Sequence, residues 1–134
     1  MFGLSRAAKS EQTDDRILYA IERDADDLFH IHIDGIWTVA DTDAFFDKLR
    51  PIDAAVRAKN GVVHAIVECK SVQSPMIVWR MRTGILTFAR PNDRIAIVYA
   101  SVLSKLQIVR VTTGSNVFAT FCDTASALVW LRKP

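Results

Sequence analysis

The chain has 134 residues, 50% of them hydrophobic and 24% charged, with a formal net charge of +2 at pH 7. That length and composition describe one globular domain, burying roughly two-thirds of its unfolded surface. The weak net charge lacks the basic density of a nucleic-acid footprint, so no nucleic acid is expected as a partner. No apolar run reaches the ~20 residues of a membrane span, which excludes stable membrane insertion.

Residues 1–15 are polar, small and charged and read as a flexible N-terminal arm, followed by a single domain over 16–134. Met1–Ser10 is short and interrupted by Arg6 and Lys9, unlike a secretory signal. Arg16–Arg23 alternates Ile17, Tyr19 and Ile21 against Leu18, Ala20 and Glu22, the period of a strand. After the turn chemistry of Asp24–Asp27, Leu28–Ile33 reads as a second strand in an antiparallel hairpin. Thr38 and Asp41 form a capping-box pattern ahead of a helix to about Asn60, with Phe45, Leu49, Ile52 and Val56 facing the core. Pro51 predicts a kink or a break within it.

Asn60-Gly61 marks the helix end, and Val62–Glu68 is apolar enough to be a central strand. A second helix is predicted from Ser74 to Ala89 with Ile77, Met81, Ile85 and Phe88 inward. Arg94–Tyr99 is the next strand. Val102–Thr113 reads as a shorter helix with Leu103, Leu106 and Val109 or Arg110 as its faces. Asn116–Phe121 is the last strand, and Asp123 or Thr124 caps a closing helix with Ala127, Leu128 and Leu131 inward. The order β-β-α-β-α-β-α-β-α implies an α/β fold: a mixed five-stranded sheet, strand order 1-2-3-4-5, with only the first strand antiparallel.

Four patterns are candidates for function. The first is the junction Lys70-Ser71-Val72-Gln73-Ser74-Pro75, at the carboxyl end of a central strand, where open α/β sheets place ligands. Ser74 before Pro75 suits an N-cap and first helical position. A small anion could also meet Lys70, Ser71 and the first amides of the helix, although the glycines of a P-loop are absent. The second is a further stripe on the same helix, Met76, Trp79, Thr83 and Leu86, with Arg80, Arg82 and Arg90 around it. It marks either a helix covered on both sides, a homodimer interface or an apolar ligand groove.

The third is histidine: His30 and His32 share one strand face and His64 lies on the neighbouring strand, but this spacing is also that of a wetted hairpin face. No metal or cofactor is expected. The fourth is cysteine. Cys69 and Cys122 each end a strand, and with another strand between them they lie about 9–10 Å apart, beyond disulfide reach. Free thiols suggest a cytoplasmic protein. No Gly-x-Ser-x-Gly elbow or Cys–His motif occurs, so no catalytic residue is expected and the chain reads as a non-enzyme.

Gly35-Ile36-Trp37-Thr38, Arg94-Ile95-Ala96-Ile97-Val98 and the ending Phe121–Leu131 carry a resemblance over about residues 16–132. The pattern resembles the SpoIIAA-like branch of the STAS family, anti-sigma-factor-antagonist-like domains structurally akin to CRAL-TRIO lipid-binding domains. The resemblance implies a regulatory or protein-interaction module, self-associating or binding a protein partner. It also implies phosphorylation of a serine at the start of the second helix, which falls on Ser74. Here the Asp that precedes that serine in the family is absent, and Pro75 stands where the family has a small residue. The CRAL-TRIO kinship allows an alternative, a carrier or sensor of a small apolar or lipid-like ligand.

Overall fold

The computed structural model describes residues 18–133. Strands β1 (Tyr19–Arg23), β2 (Phe29–Ile33), β3 (His64–Cys69), β4 (Arg94–Tyr99) and β5 (Phe118–Phe121) form one sheet in the order β1-β2-β3-β4-β5. β1 runs antiparallel to β2, and every later pair is parallel. Helices α1 (Val39–Asn60), α2 (Pro75–Phe88), α3 (Val102–Thr112) and α4 (Thr124–Leu131) follow β2, β3, β4 and β5 in turn. The expected topology is therefore the observed one. The arm over 1–15 and the first residues of the expected first strand lie outside the described residues.

The layering follows from handedness. Strands added in one direction by right-handed crossovers put every crossover helix on the same face. Thus α1, α2 and α3 share a face, while α4, which leads to no further strand, folds over the other. Strand parity agrees with this. Phe29, Ile31, Ile33 and Ala65 belong to the large core with Phe45, Leu49, Val56 and Ile77. Ile66, Ala96 and Val98 point the opposite way, onto Ala127 and Leu131 of α4.

Local chemistry sets the element ends. The Asp41 N–H donates to Thr38 Oγ1 (3.1 Å) and the Thr38 N–H to Asp41 Oδ2 (2.8 Å), completing the capping box. Gly61, at φ 80°, closes α1 in the left-handed conformation that glycine adopts without steric cost. Of the kink or break expected at Pro51, the break does not occur: α1 is one helix of 22 residues. Proline removes one ladder hydrogen bond, and buried Leu49 and Val56 with half-buried Ile52 hold the helix on the sheet across that gap. Between α1 and α2 the approach is close. A Cβ on Gly84 would come within 2.4 Å of the Phe46 ring, so this helical position admits no side chain without movement.

One expected face is corrected. The buried residues of α3 are Ser104, Ile108 and Val111, whereas Leu103, Leu106 and Val109 are exposed. α3 is apolar around most of its circumference, so periodicity alone leaves its inward side undetermined. Ser104 can be buried because its hydroxyl accepts from Ala100 N (3.1 Å) and Ser101 N (3.0 Å) and donates to Ser101 O (3.0 Å). No described helix is long and apolar enough to cross a membrane.

Candidate functional site

The loops after β2, β3 and β4 meet at the carboxyl ends of the central strands, and a buried amide joins two of them to α3. Gln73, 6% exposed, accepts from Trp37 N on Oε1 (2.8 Å) and donates through Nε2 to Gly35 O (2.8 Å) and Ser71 Oγ (3.0 Å). Its backbone N–H donates to Gln107 Oε1 (2.8 Å), and Gln107 Nε2 donates back to Gln73 O (2.6 Å). Trp37 Nε1 extends the network to Asp34 O (2.9 Å) and Leu18 O (3.2 Å). Among the described residues no buried side-chain polar atom lacks a partner. Such a fully satisfied network holds its loops in one arrangement.

Ser74 is the N-cap of α2: it is exposed, and its Oγ accepts from Ile77 N at 3.4 Å, with Pro75 in the first helical turn. The Ser71 hydroxyl is turned inward onto Gln73, away from that role. The Lys70 side chain is exposed, while its N–H donates to Ile33 O (3.0 Å). Three residues expected together as an anion site thus have separate engagements. Gln73 carries the junction, and nothing in the sequence distinguishes it from a solvent-facing loop amide.

The second stripe of α2 faces outward. Met76 is 65% and Trp79 69% exposed, so α2 is not covered on that side by the described chain. Thr83 is exposed with its hydroxyl donating to Trp79 O (3.2 Å). Arg80 forks onto Asp43 of α1 through two bonds of 2.8 Å, and each charge favours the other: Asp43 is held below the ordinary carboxyl value and Arg80 above its own. Beside α2 lies α3, with Leu103 62% and Leu106 54% exposed. Two clasps tie these helices. One is the Gln73–Gln107 pair; in the other, Arg82 Nη1 donates to Arg110 O (3.0 Å) and Thr113 O (2.7 Å) at the end of α3. Among the described residues, exposed apolar side chains thus stand on two adjacent helices.

Beneath this layer, between the sheet and α1–α3, is an apolar cavity of about 120 Å³, lined by side chains such as Val67, Val78, Met81, Ile97, Ile108 and Val111. The other candidates separate. His30 Nε2 lies 3.0 Å from Asp24 Oδ2 and His32 Nδ1 3.5 Å from Glu68 Oε2. His64 lies on β3 in register with Arg94, and burial together with that cation lowers its pKa. No group of three metal-ligating side chains occurs among the described residues. Cys69 and Cys122 are both free, and burial pushes the Cys69 thiol up to about 12, far from a reactive thiolate.

Comparison with known proteins brings no match: no family model matches the chain, and neither a curated protein nor a solved structure does. The surface and the cavity carry the functional argument.

Proposed function

We propose that this chain is a non-enzymatic interaction module of the cytoplasm, of STAS or SpoIIAA-like type, that binds a partner protein or a second copy through the α2–α3 face. One observation carries the reading: Met76, Trp79, Leu103 and Leu106, all exposed, stand on two neighbouring helices that side-chain clasps hold together. Apolar side chains in such a group gain about 25 cal/mol per Å² when covered, and rigid presentation reduces the entropy lost on binding. Two free thiols agree with a reducing compartment. Ser74 keeps the place of the family's phosphorylated serine, exposed at the start of α2 and next to Met76. A phosphate there would add charge at the margin of this face.

The test compares affinity capture from the host by wild type and by Leu106→Glu, with light scattering of both. A partner, or a second copy, retained by wild type and lost by the variant is the expected result. Identical captures and identical mass count against the reading.

The cavity favours a second reading, a carrier of a small apolar molecule. Its volume of about 120 Å³ is below the ~300 Å³ at which ordinary ligand pockets begin and near the ~150 Å³ engineered cavity that takes benzene. A ligand of benzene size fits such a volume better than a lipid chain does. Benzene raising the melting temperature would support the carrier; an unmoved transition would count against it.

A further inference from the structure

We infer that the occupant of the α2–α3 face is an acidic amphipathic helix of a partner protein. The inference rests on the interaction-module reading and names the chemistry of the partner. Between Cys69 and Cys122 the sequence holds a single carboxylate, Asp93. That carboxylate is buried against Arg57 at the amino ends of the strands, away from the face. Lys70 and Arg110 lie on the junction and on α3 with no carboxylate partner among the described residues; Lys105, two positions from Gln107, stands on the side of α3 away from α2, its amine 5.3 Å from the centre of the Tyr99 ring. Arg80 is neutralised by Asp43, whereas Arg82 donates to neutral backbone carbonyls and keeps its positive charge. The apolar side chains are thus accompanied by uncompensated positive charge.

This charge selects among the occupants. A two-fold contact sets a surface patch against itself. A second copy would therefore bring like charges together around the apolar centre, a costly arrangement. An anionic membrane would also be attracted to these cations, but lipid-binding segments gather roughly 4–8 cations and this face has three without a carboxylate, Lys70, Arg82 and Arg110. A helix with apolar residues at i, i+3, i+4 and i+7 satisfies both features. It can lie along the furrow between two packed helices while its flanking Asp or Glu residues meet Lys70 and Arg110.

A displayed library of randomised amphipathic peptides, selected on the full chain, tests the inference. Peptides bound by wild type and lost with Leu106→Glu should carry leucine, isoleucine or phenylalanine at helical spacing, flanked by acidic residues. Their affinity should fall about tenfold or more when Lys70→Glu and Arg110→Glu are combined, and should survive Leu106→Met. An unchanged melting temperature identifies the variants as folded. Leu106-sensitive peptides that are neutral or basic, or indifferent to the charge reversal, overturn the acidic chemistry and leave the interaction surface standing. Self-association of wild type, or binding to phosphatidylserine vesicles, that Leu106→Glu abolishes while no sensitive peptide is recovered, replaces the partner helix with that occupant. If Leu106→Glu changes none of these, the inference and the interaction-module reading both fail.

Discussion

The two ends of the sheet solve the same problem with different chemistry. At the carboxyl ends of the parallel strands, neutral Gln73 binds the loop after β2, its own junction and α3. At the amino ends, Asp93, 3% exposed, accepts from both Arg57 Nη atoms at 3.0 Å, from Val63 N (3.0 Å) and from Arg90 N (2.9 Å). Burial raises the Asp93 pKa, but the Arg57 guanidinium and the two amides outweigh it and hold the carboxyl below the ordinary 3.8. Both networks lock loops onto the core. The ionic one depends on pH and, with charge-assisted bonds, is expected to be the stronger; the amide is indifferent to pH and sits beside the surface proposed for binding.

Removing the ionic end should have the largest effect. Asp93→Ala takes the nearer carboxylate from half-buried Arg57, leaving it Asp53 at 3.4 Å, and frees two amides, a loss of about 3–5 kcal/mol in urea denaturation. A loss under 1 kcal/mol would show that the two ends do not differ in strength. The same group gives wild type an acid limit. Because its folded pKa lies below the unfolded one, its stabilisation is present above pH 3.8 and disappears as pH falls through the folded value. Denaturation midpoints from neutral pH downward should decline in that window, and the slope contributed by Asp93 should be missing from Asp93→Asn.

A smaller effect is expected at the other end, where the comparison can be reversed. Gln73→Glu replaces the donor to Gly35 O with a carboxylate buried among carbonyls, costing about 1–3 kcal/mol at neutral pH. Burial raises that carboxyl's pKa, so the penalty should shrink as pH falls and the acid restores a donor. A penalty constant with pH would show the carboxylate has turned to solvent. The smallest effect belongs to the face itself. Leu106→Glu should change stability by no more than about 0.5 kcal/mol, since an exposed side chain leaves no cavity. A loss above 2 kcal/mol in the melting transition would make Leu106 part of the fold and remove the separation of fold from surface.

Much of the fold was legible in local sequence because its signals are short-range. The Thr38–Asp41 box, the Ser74-Pro75 start of α2 and Gly61 at the end of α1 each satisfy orphan helix groups within a few residues. The alternation of Phe29, Ile31 and Ile33 with His30 and His32 appears unchanged in the burial of β2. Pro51 leaves α1 unbroken because the core contacts that carry the helix across it come from distant strands. Gln73 escaped notice because its partners, Gly35, Trp37 and Gln107, are 34 or more residues away or invisible to any local pattern.

The strand order and the sharing of one face by three helices were already implied by the alternation of element types, since right-handed crossovers leave few arrangements. Tertiary structure decided which side is inside, or left bare, where a helix is apolar on more than one side. On α3 the small, self-satisfying Ser104 is buried beside Ile108 and Val111, while Leu103 and Leu106 remain outside. On α2 the stripe of Met76 and Trp79 is left bare. A helix apolar on two sides has the same periodic signal whichever side is covered; only the position of its neighbours distinguishes core from surface.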